Sequence, residues 1–548
     1  MKFTVIAIVS TLAEAGNASS KWANVRRRLS FEKIAGYEPG SQVTDHCAID
    51  LDQLALEDQL ALATDEAYEA ARRIFNEGGN SKSYATINLD TPLTVEVAED
   101  DEIIGTTEDG TQVAGKAYDP YPIGTSTINV FYETTDTQAS YVNCQVGALV
   151  EPNLDGCFKA SGTVTIGGTD YGYTYDPAAD NNNDRTLAKF STSADTLMLE
   201  GCPGCPYKDF KYFYDYYGTH DYAYQWVEAA FDAKSTSFDN GNADFSRYGF
   251  DGREQAIKKG TAYMSVFMYV IREFEDALDD CQKGIISDNY NSVHAWDEGV
   301  CFYTGSIEGQ DGVTSDGKLI HQLMDKRCAD FKTCGSEGTG TDGRAKLNYD
   351  IGGLFTLGNF QIKSGDCNAA RGTLEQITAK MYIPMIQGTM SYAYELEMLQ
   401  GGEKEGAEAA TFAAAVLPRI HAVDPTAATT IYDNVKVGAT STDYKAVKSA
   451  FESVYPSLGI TCEEVGGFWN TATNSYFEGM EPCKTETETS AASATSGNTN
   501  KTAAIAISST FGVLFVLAAT MVLYMRDREK QGQPVFKISA TDDVKDVN

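Results

Sequence analysis

The sequence predicts an α+β fold, mainly α: a helical-bundle ectodomain with a β-rich insertion and a single C-terminal transmembrane helix. Three textures carry that reading. Apolar residues recur at helical spacing over 45–78 and again from about 207 to 460. Between them, from about 82 to 200, short alternating runs such as Leu93-Thr-Val-Glu-Val97 and Gly162-Thr-Val-Thr-Ile166 are broken by Gly, Asp and Asn, the pattern of strands and turns. Near the end, Ala503 to Met525 is 23 residues without a charge, long enough to cross a hydrocarbon core of ~30 Å.

In chain order, Lys2, the apolar stretch 3–12 and Ala13-Glu14-Ala15 form the charged, apolar and small-x-small parts of an export signal over 1–15. The segment 30–80 is expected to pack on the bundle as helix, ending at Gly78-Gly79. The insertion spans 81–200 and the main helical domain 201–483, where Arg253–Cys281, Leu374–Leu399 and Glu403–His421 hold long helical patterns. A Ser/Thr-rich stalk follows over 484–502, then the span 503–525 and a tail 526–548. Arg526, Arg528 and Lys530 directly after the span place that tail in the cytosol by the positive-inside rule. The layout is that of a type I single-pass plasma-membrane protein. Asn17 and Asn500 begin glycosylation sequons.

Charge narrows the function. The 548 residues hold 43 Lys plus Arg against 78 Asp plus Glu, a net charge of −35, which repels phosphate backbones and argues against nucleic acid as a partner. The tail 526–548 has five basic and five acidic residues, so the excess lies on the exported side, where it attracts cations. Twelve cysteines, an even number, lie on that same side and imply up to six disulfides. Cys202-Pro-Gly-Cys205 has redox-motif or half-zinc-site spacing, but without a second Cys-x-x-Cys a structural disulfide is the simpler reading. Asp180, Asn182 and Asp184 alternate like the start of a calcium loop, yet Arg185 and Ser191 stand where that loop needs Gly and Glu, which favours a solvated turn.

Three segments gather metal-type donors. Tyr212–Trp226 holds six tyrosines with His220 and Asp221. In the helix Tyr263–Asp280, Tyr269, Glu273, Asp276 and Asp280 fall on one stripe. His294, Asp297 and Glu298 sit at i, i+3 and i+4, one helical face. Histidine with carboxylates suits a hard or borderline cation, and added phenolates favour Fe(III). A tyrosine cluster equally forms a packed core with hydroxyls at its rim, and an acidic helix a solvated face. His321 and His421 are isolated and read as structural or surface residues. No nucleophile elbow, zinc-protease helix, phosphate loop or dinucleotide fingerprint occurs, so an enzyme is not expected.

Tyr216-Tyr-Gly-Thr-His-Asp-Tyr-Ala-Tyr-Gln-Trp226, Arg253-Glu-Gln-Ala-Ile-Lys-Lys-Gly-Thr-Ala-Tyr-Met264, Glu275-Asp-Ala-Leu-Asp-Asp-Cys281, His294-Ala-Trp-Asp-Glu298 and Gly459-Ile-Thr-Cys-Glu-Glu-Val-Gly-Gly467 resemble the algal Fe-assimilating-protein domain of the phytotransferrin family. The resemblance spans 200–480 closely and 45–200 loosely. It implies a receptor for iron uptake under iron starvation that binds ferric iron with carbonate and is internalised by endocytosis into endosomal vesicles, with a ferric reductase downstream. Carried onto this chain, it points to His220, Asp221, His294, Asp297 and Glu298 as metal ligands, with Tyr217 and Tyr269 as phenolates. A carbonate needs an arginine or a helix N-terminus. Arg253 and Arg371, each opening a helix, are the candidates, and a salt bridge is the plainer role for both. Protonation of carbonate and imidazole near pH 5–6 would release the iron. The same acidity, disulfides and stalk would also suit a calcium-dependent adhesion or cell-wall glycoprotein, and His-x-x-x-Glu on a helix also resembles imelysin-type hydrolase bundles.

Overall fold

The structure, a computed structural model, describes residues 33–41, 43–78, 80–81, 85–98, 101–118, 120–132, 158–175, 185–286 and 291–483. The expected export signal, both sequons, the 180–184 segment, and the expected stalk, membrane span and tail lie outside them. Among the described residues no helix is long and apolar enough to cross a membrane.

The fold is α+β and mainly α. It begins with three helices, α1 (Thr44–Cys47), α2 (Ile49–Leu60) and α3 (Asp65–Glu77). Thr64 caps α3 by accepting from the Ala67 N–H at 3.2 Å. The insertion then forms six strands, β1 (Ala85–Leu89), β2 (Glu102–Thr106), β3 (Gln112–Ala117), β4 (Thr127–Tyr132), β5 (Ser161–Ile166) and β6 (Thr169–Thr174). They close into an antiparallel barrel in the order β1-β4-β3-β2-β5-β6, with β6 returning to β1. Closure leaves no open sheet edge. Alternation sends Val164, Ile166, Tyr171 and Tyr173 inward with Ile87, Ile103 and Val130. Gly105 is required on β2, since a Cβ there would lie 2.9 Å from the Phe158 ring.

After the barrel the chain is helical: α4 (Lys189–Thr192), α5 (Lys208–Tyr217), α6 (Tyr222–Phe231), α7 (Phe250–Gly260), α8 (Phe267–Gln282), α9 (Ser292–Thr304), α10 (Ile320–Phe331), α11 (Lys346–Lys363), α12 (Cys367–Met381), α13 (Ile383–Met398) and α14 (Glu403–Ala414). Further helices at Leu417–His421, Pro425–Val435, Tyr444–Leu458 and Cys462–Val465 complete the body, followed by the two-stranded ribbon Trp469–Asn470 and Ser475–Tyr476. The pattern read as one helix over Arg253–Cys281 is rewound at Thr261–Val266 into a π-helical turn between α7 and α8. The helical body and the barrel bury separate apolar clusters, and α1–α3 belong to the helical one.

At the centre, α8 packs along α9. A glycine permits this close packing, since a Cβ on Gly299 would lie 2.6 Å from the Phe274 ring of α8, and a second lets α11 approach α9, since a Cβ on Gly358 would collide with Trp296. Five disulfides are described: Cys47–Cys301, Cys202–Cys205, Cys281–Cys367, Cys328–Cys334 and Cys462–Cys483. Cys144 and Cys157 lie outside the described residues. The Cys47–Cys301 bond, across 254 residues of sequence, ties α1 to α9.

Candidate metal centre

Helix α9 is buried along nearly its whole length, and its polar side chains must therefore find partners inside the protein. Successive residues advance by about 100°, so Asp297 and Glu298 fall to opposite sides of His294. Glu298 turns toward α1. There His46 Nδ1 makes a short contact with Glu298 Oε1, while His294 Nε2 lies 3.5 Å from the same oxygen. The imidazoles stand edge to face, centroids 5.1 Å apart. One donor atom each from His46, His294 and Glu298 lie within 4.8 Å of one another, and among the described residues this is the one group of three or more such donors so gathered.

Asp297 turns to the other side. Tyr37 Oη and Asn359 Nδ2 donate to Oδ1, the latter at 3.0 Å, while Gly40 N and Ser41 Oγ donate to Oδ2 at 2.7 Å. Burial pushes this carboxyl up to about 6. With its oxygens saturated, Asp297 is placed as a support and not as a ligand. Ser41 gives its one proton to Asp297, so toward His294 Nδ1, 3.3 Å away, it acts as acceptor. Nδ1 therefore carries a proton toward Ser41, and Nε2 faces Glu298.

The electrostatics prepare the same pocket. Burial, with help from the Arg185 charge, lowers His46 to about 3, so it is neutral, the ligating form. Burial acts to raise Glu298, but the two imidazoles override it and hold the carboxyl well below its usual range. Arg185, entering from the strand-to-helix return, puts Nη2 3.4 Å from Glu298 Oε1. Tyr269 is clamped by Phe190, stacked at 3.9 Å, and its phenol feels the charges of Glu273 and Glu298 and of both Arg272 and Arg185. Burial raises the Tyr269 phenol and the neighbouring Glu273 carboxyl alike.

The other expected site residues lie elsewhere. Tyr217 is fully buried and donates its hydroxyl to the Ala414 carbonyl at 2.8 Å, with its ring stacked on Tyr222. A phenol committed to a backbone carbonyl is not free to ligate. His220 and Asp221 stand in the turn between α5 and α6, where Asp221 accepts from Gln225 Nε2 at 2.7 Å, and neither joins the group at Glu298. Arg253 donates to the carbonyls of Ala230 and Phe231 at 2.8 and 2.9 Å, closing the end of α6, and lies over the Tyr68 ring. Arg371 pairs with Glu275. Both arginines are engaged structurally, and the arginine at the metal-type group is Arg185.

Two members of the pocket, His46 and Arg185, carry no motif of their own. His46 had one usable signal, its neighbour Cys47: a bond from Cys47 to Cys301 brings position 46 beside the 294–298 stretch. No family model, no curated protein and no solved structure matches the chain.

Proposed function

We propose that the protein is a cell-surface receptor for Fe(III), which it binds with carbonate and delivers by endocytosis. The observation that carries this reading is the convergence of two imidazoles and a carboxylate beside a partly buried arginine. His46 Nδ1, His294 Nε2 and Glu298 Oε1 would hold the ion. Tyr269 is the phenol nearest in electrostatic terms, and it supplies a phenolate if the ion displaces its proton. Arg185 replaces Arg253 and Arg371 as the residue that would anchor the carbonate. The acidic exported side, the expected type I topology and the resemblance of Tyr216–Trp226 and His294–Glu298 to the phytotransferrin family support the same reading. Because burial keeps His46 neutral far into the acid range, the acid-labile part of the site is the carbonate and not that imidazole.

Calcium-dependent adhesion draws less support, since calcium takes oxygen ligands and two of the three donors here are nitrogens. A second reading does draw on the donor set. Two histidines and one carboxylate also hold Fe(II) or Zn(II) in enzymes. Titration of the full-length protein with Fe(III) at pH 8, with and without bicarbonate, separates the readings. Tight binding only with bicarbonate is expected. Binding of Zn(II) or Fe(II) in preference to Fe(III), indifferent to bicarbonate, would overturn the proposal in favour of the second reading.

A further inference from the structure

A second imidazole–carboxylate cluster lies at the start of α10, apart from the group at Glu298. His321 is 4% exposed and Glu308, in the preceding loop, is 1% exposed. His321 Nδ1 and Glu308 Oε1 are 3.4 Å apart, yet both are buried atoms without a hydrogen-bond partner. The other Glu308 oxygen has only Thr314 Oγ1 at 3.5 Å. One turn along α10, Asp325 holds Oδ2 at 3.9 Å from the same nitrogen, while its Oδ1 is taken by Ala345 N and Asn348 Nδ2. Asp50, wholly buried, adds a third carboxylate whose oxygens are occupied by Ser306 and Ile307. Arg344, whose charge reaches the neighbouring Tyr303, is turned to the Asp311 and Gly312 carbonyls.

Two facts about this cluster need one explanation. Two carboxyl groups, Glu308 and Asp325, face one imidazole, and a third, Asp50, lies near Glu308, so acidic groups outnumber basic ones in the cluster and a bound cation would balance them. The two unpartnered atoms also face each other at a distance that is long for a charge-assisted hydrogen bond. It is the right length for two ligands of one metal: tetrahedral bonds of about 2.1 Å put ligand atoms about 3.4 Å apart. We propose that His321 Nδ1 and Glu308 Oε1 form a second cation site, for a divalent transition ion of the Zn(II) or Co(II) type. Asp325 Oδ2, set wider, closes on the ion by a side-chain rotation. Its Oδ1 bonds to Ala345 and Asn348 orient it as outer partners orient a ligand. The site is independent of the Fe(III) reading, since it shares no residue with the group at Glu298.

The test uses Co(II) alone, which absorbs visibly when bound with few ligands, on the full-length chain stripped with a chelator. A His46→Ala/Glu298→Gln variant removes the first group, and this variant is expected to bind one equivalent of Co(II). Adding His321→Gln or Glu308→Gln is expected to weaken that binding on the order of 100-fold, with the metal-free melting curve recording whether the variant is folded. If a variant does not fold, Co-edge anomalous scattering from wild-type crystals decides: density between Nδ1 and Oε1 supports the site. No binding in the double variant, binding unaltered by His321→Gln, or anomalous density absent from that position each overturns it.

Discussion

The pocket at Glu298 and the tyrosine-rich segment Tyr212–Trp226 look alike as sequence, both dense in His, Asp or Tyr, and they behave oppositely in space. In the first, donors point at one another: His46 and His294 both approach one carboxylate oxygen. In the second, groups that could ligate are met by ordinary partners. Tyr217 donates to Ala414, Tyr216 packs against the His421 ring, and Asp221 accepts from Gln225. A ligand site is thus marked by donors left facing each other with no protein group between them, whereas density of donors along the chain marks only a polar-rimmed core.

The contrast can be broken most severely at the bond that creates it. Cys301→Ser removes the tie between α1 and α9. In the chain-entropy picture, loss of so long a closed loop costs about 5–6 kcal/mol of stability, read by denaturant unfolding. Metal binding should fall with it, because His46 is no longer held to α9. Unchanged Fe(III) affinity would show that the pocket does not need His46. The next effect is at the carboxylate itself. Glu298→Gln is expected to lower Fe(III) affinity by on the order of 100-fold, while His220→Ala and Asp221→Asn leave it within about threefold; equal losses at both places would erase the distinction between the regions.

A baseline must be taken before the acid or alkaline limb of any binding curve is interpreted. Lys259, paired with Glu408 at 2.7 Å, is lowered to about 8, by burial first of all. Its folded value lies below its unfolded one, so between about 8 and the ordinary lysine range the unfolded chain holds the extra proton. Stability therefore rises with pH through that window, and the cost of the buried charge is fully present below it. Unfolding measured from pH 7 to 10.5 should show the rise, and Lys259→Met should remove it. The smallest effect tests the tyrosine segment. Tyr217→Phe deletes a buried hydrogen bond and is expected to cost about 1 kcal/mol of stability, with no change in Fe(III) affinity when measured by titration. A loss of affinity there would restore Tyr217 as a ligand.

Much of the architecture was legible. Periodicity separates the barrel from the helical body, because a strand alternates its faces and a helix repeats every 3.6 residues whatever lies beyond it. The strands occupy 85–174, and the helices resume by Lys189, ahead of residue 201, where texture alone places the start of the helical domain. The candidate site was legible by halves. His294 and Glu298 could be paired from spacing on one helix, but the same rule wrongly grouped Asp297 with them, since positions three and four residues on lie some 100° apart and face different neighbours. Nothing local distinguishes Tyr217 from Tyr269, because which phenol meets a carbonyl and which meets charges depends on the helix packed opposite.

The sequence by itself determines the sign and the placement of the charge, the even cysteine count, the mainly helical class with its β insertion, and the helix that offers His294 and Glu298. Only the tertiary structure decides that His46 and Arg185, 252 and 113 residues from Glu298 along the chain, complete the pocket. It also decides that Asp297 supports where it was expected to ligate, and that His321, isolated in sequence, faces Glu308 in the interior. The physical reason is common to all of these. A side chain's chemistry is set by the charge and hydrogen-bond partners that burial forces upon it, and those partners are chosen by packing between segments that the chain order keeps far apart.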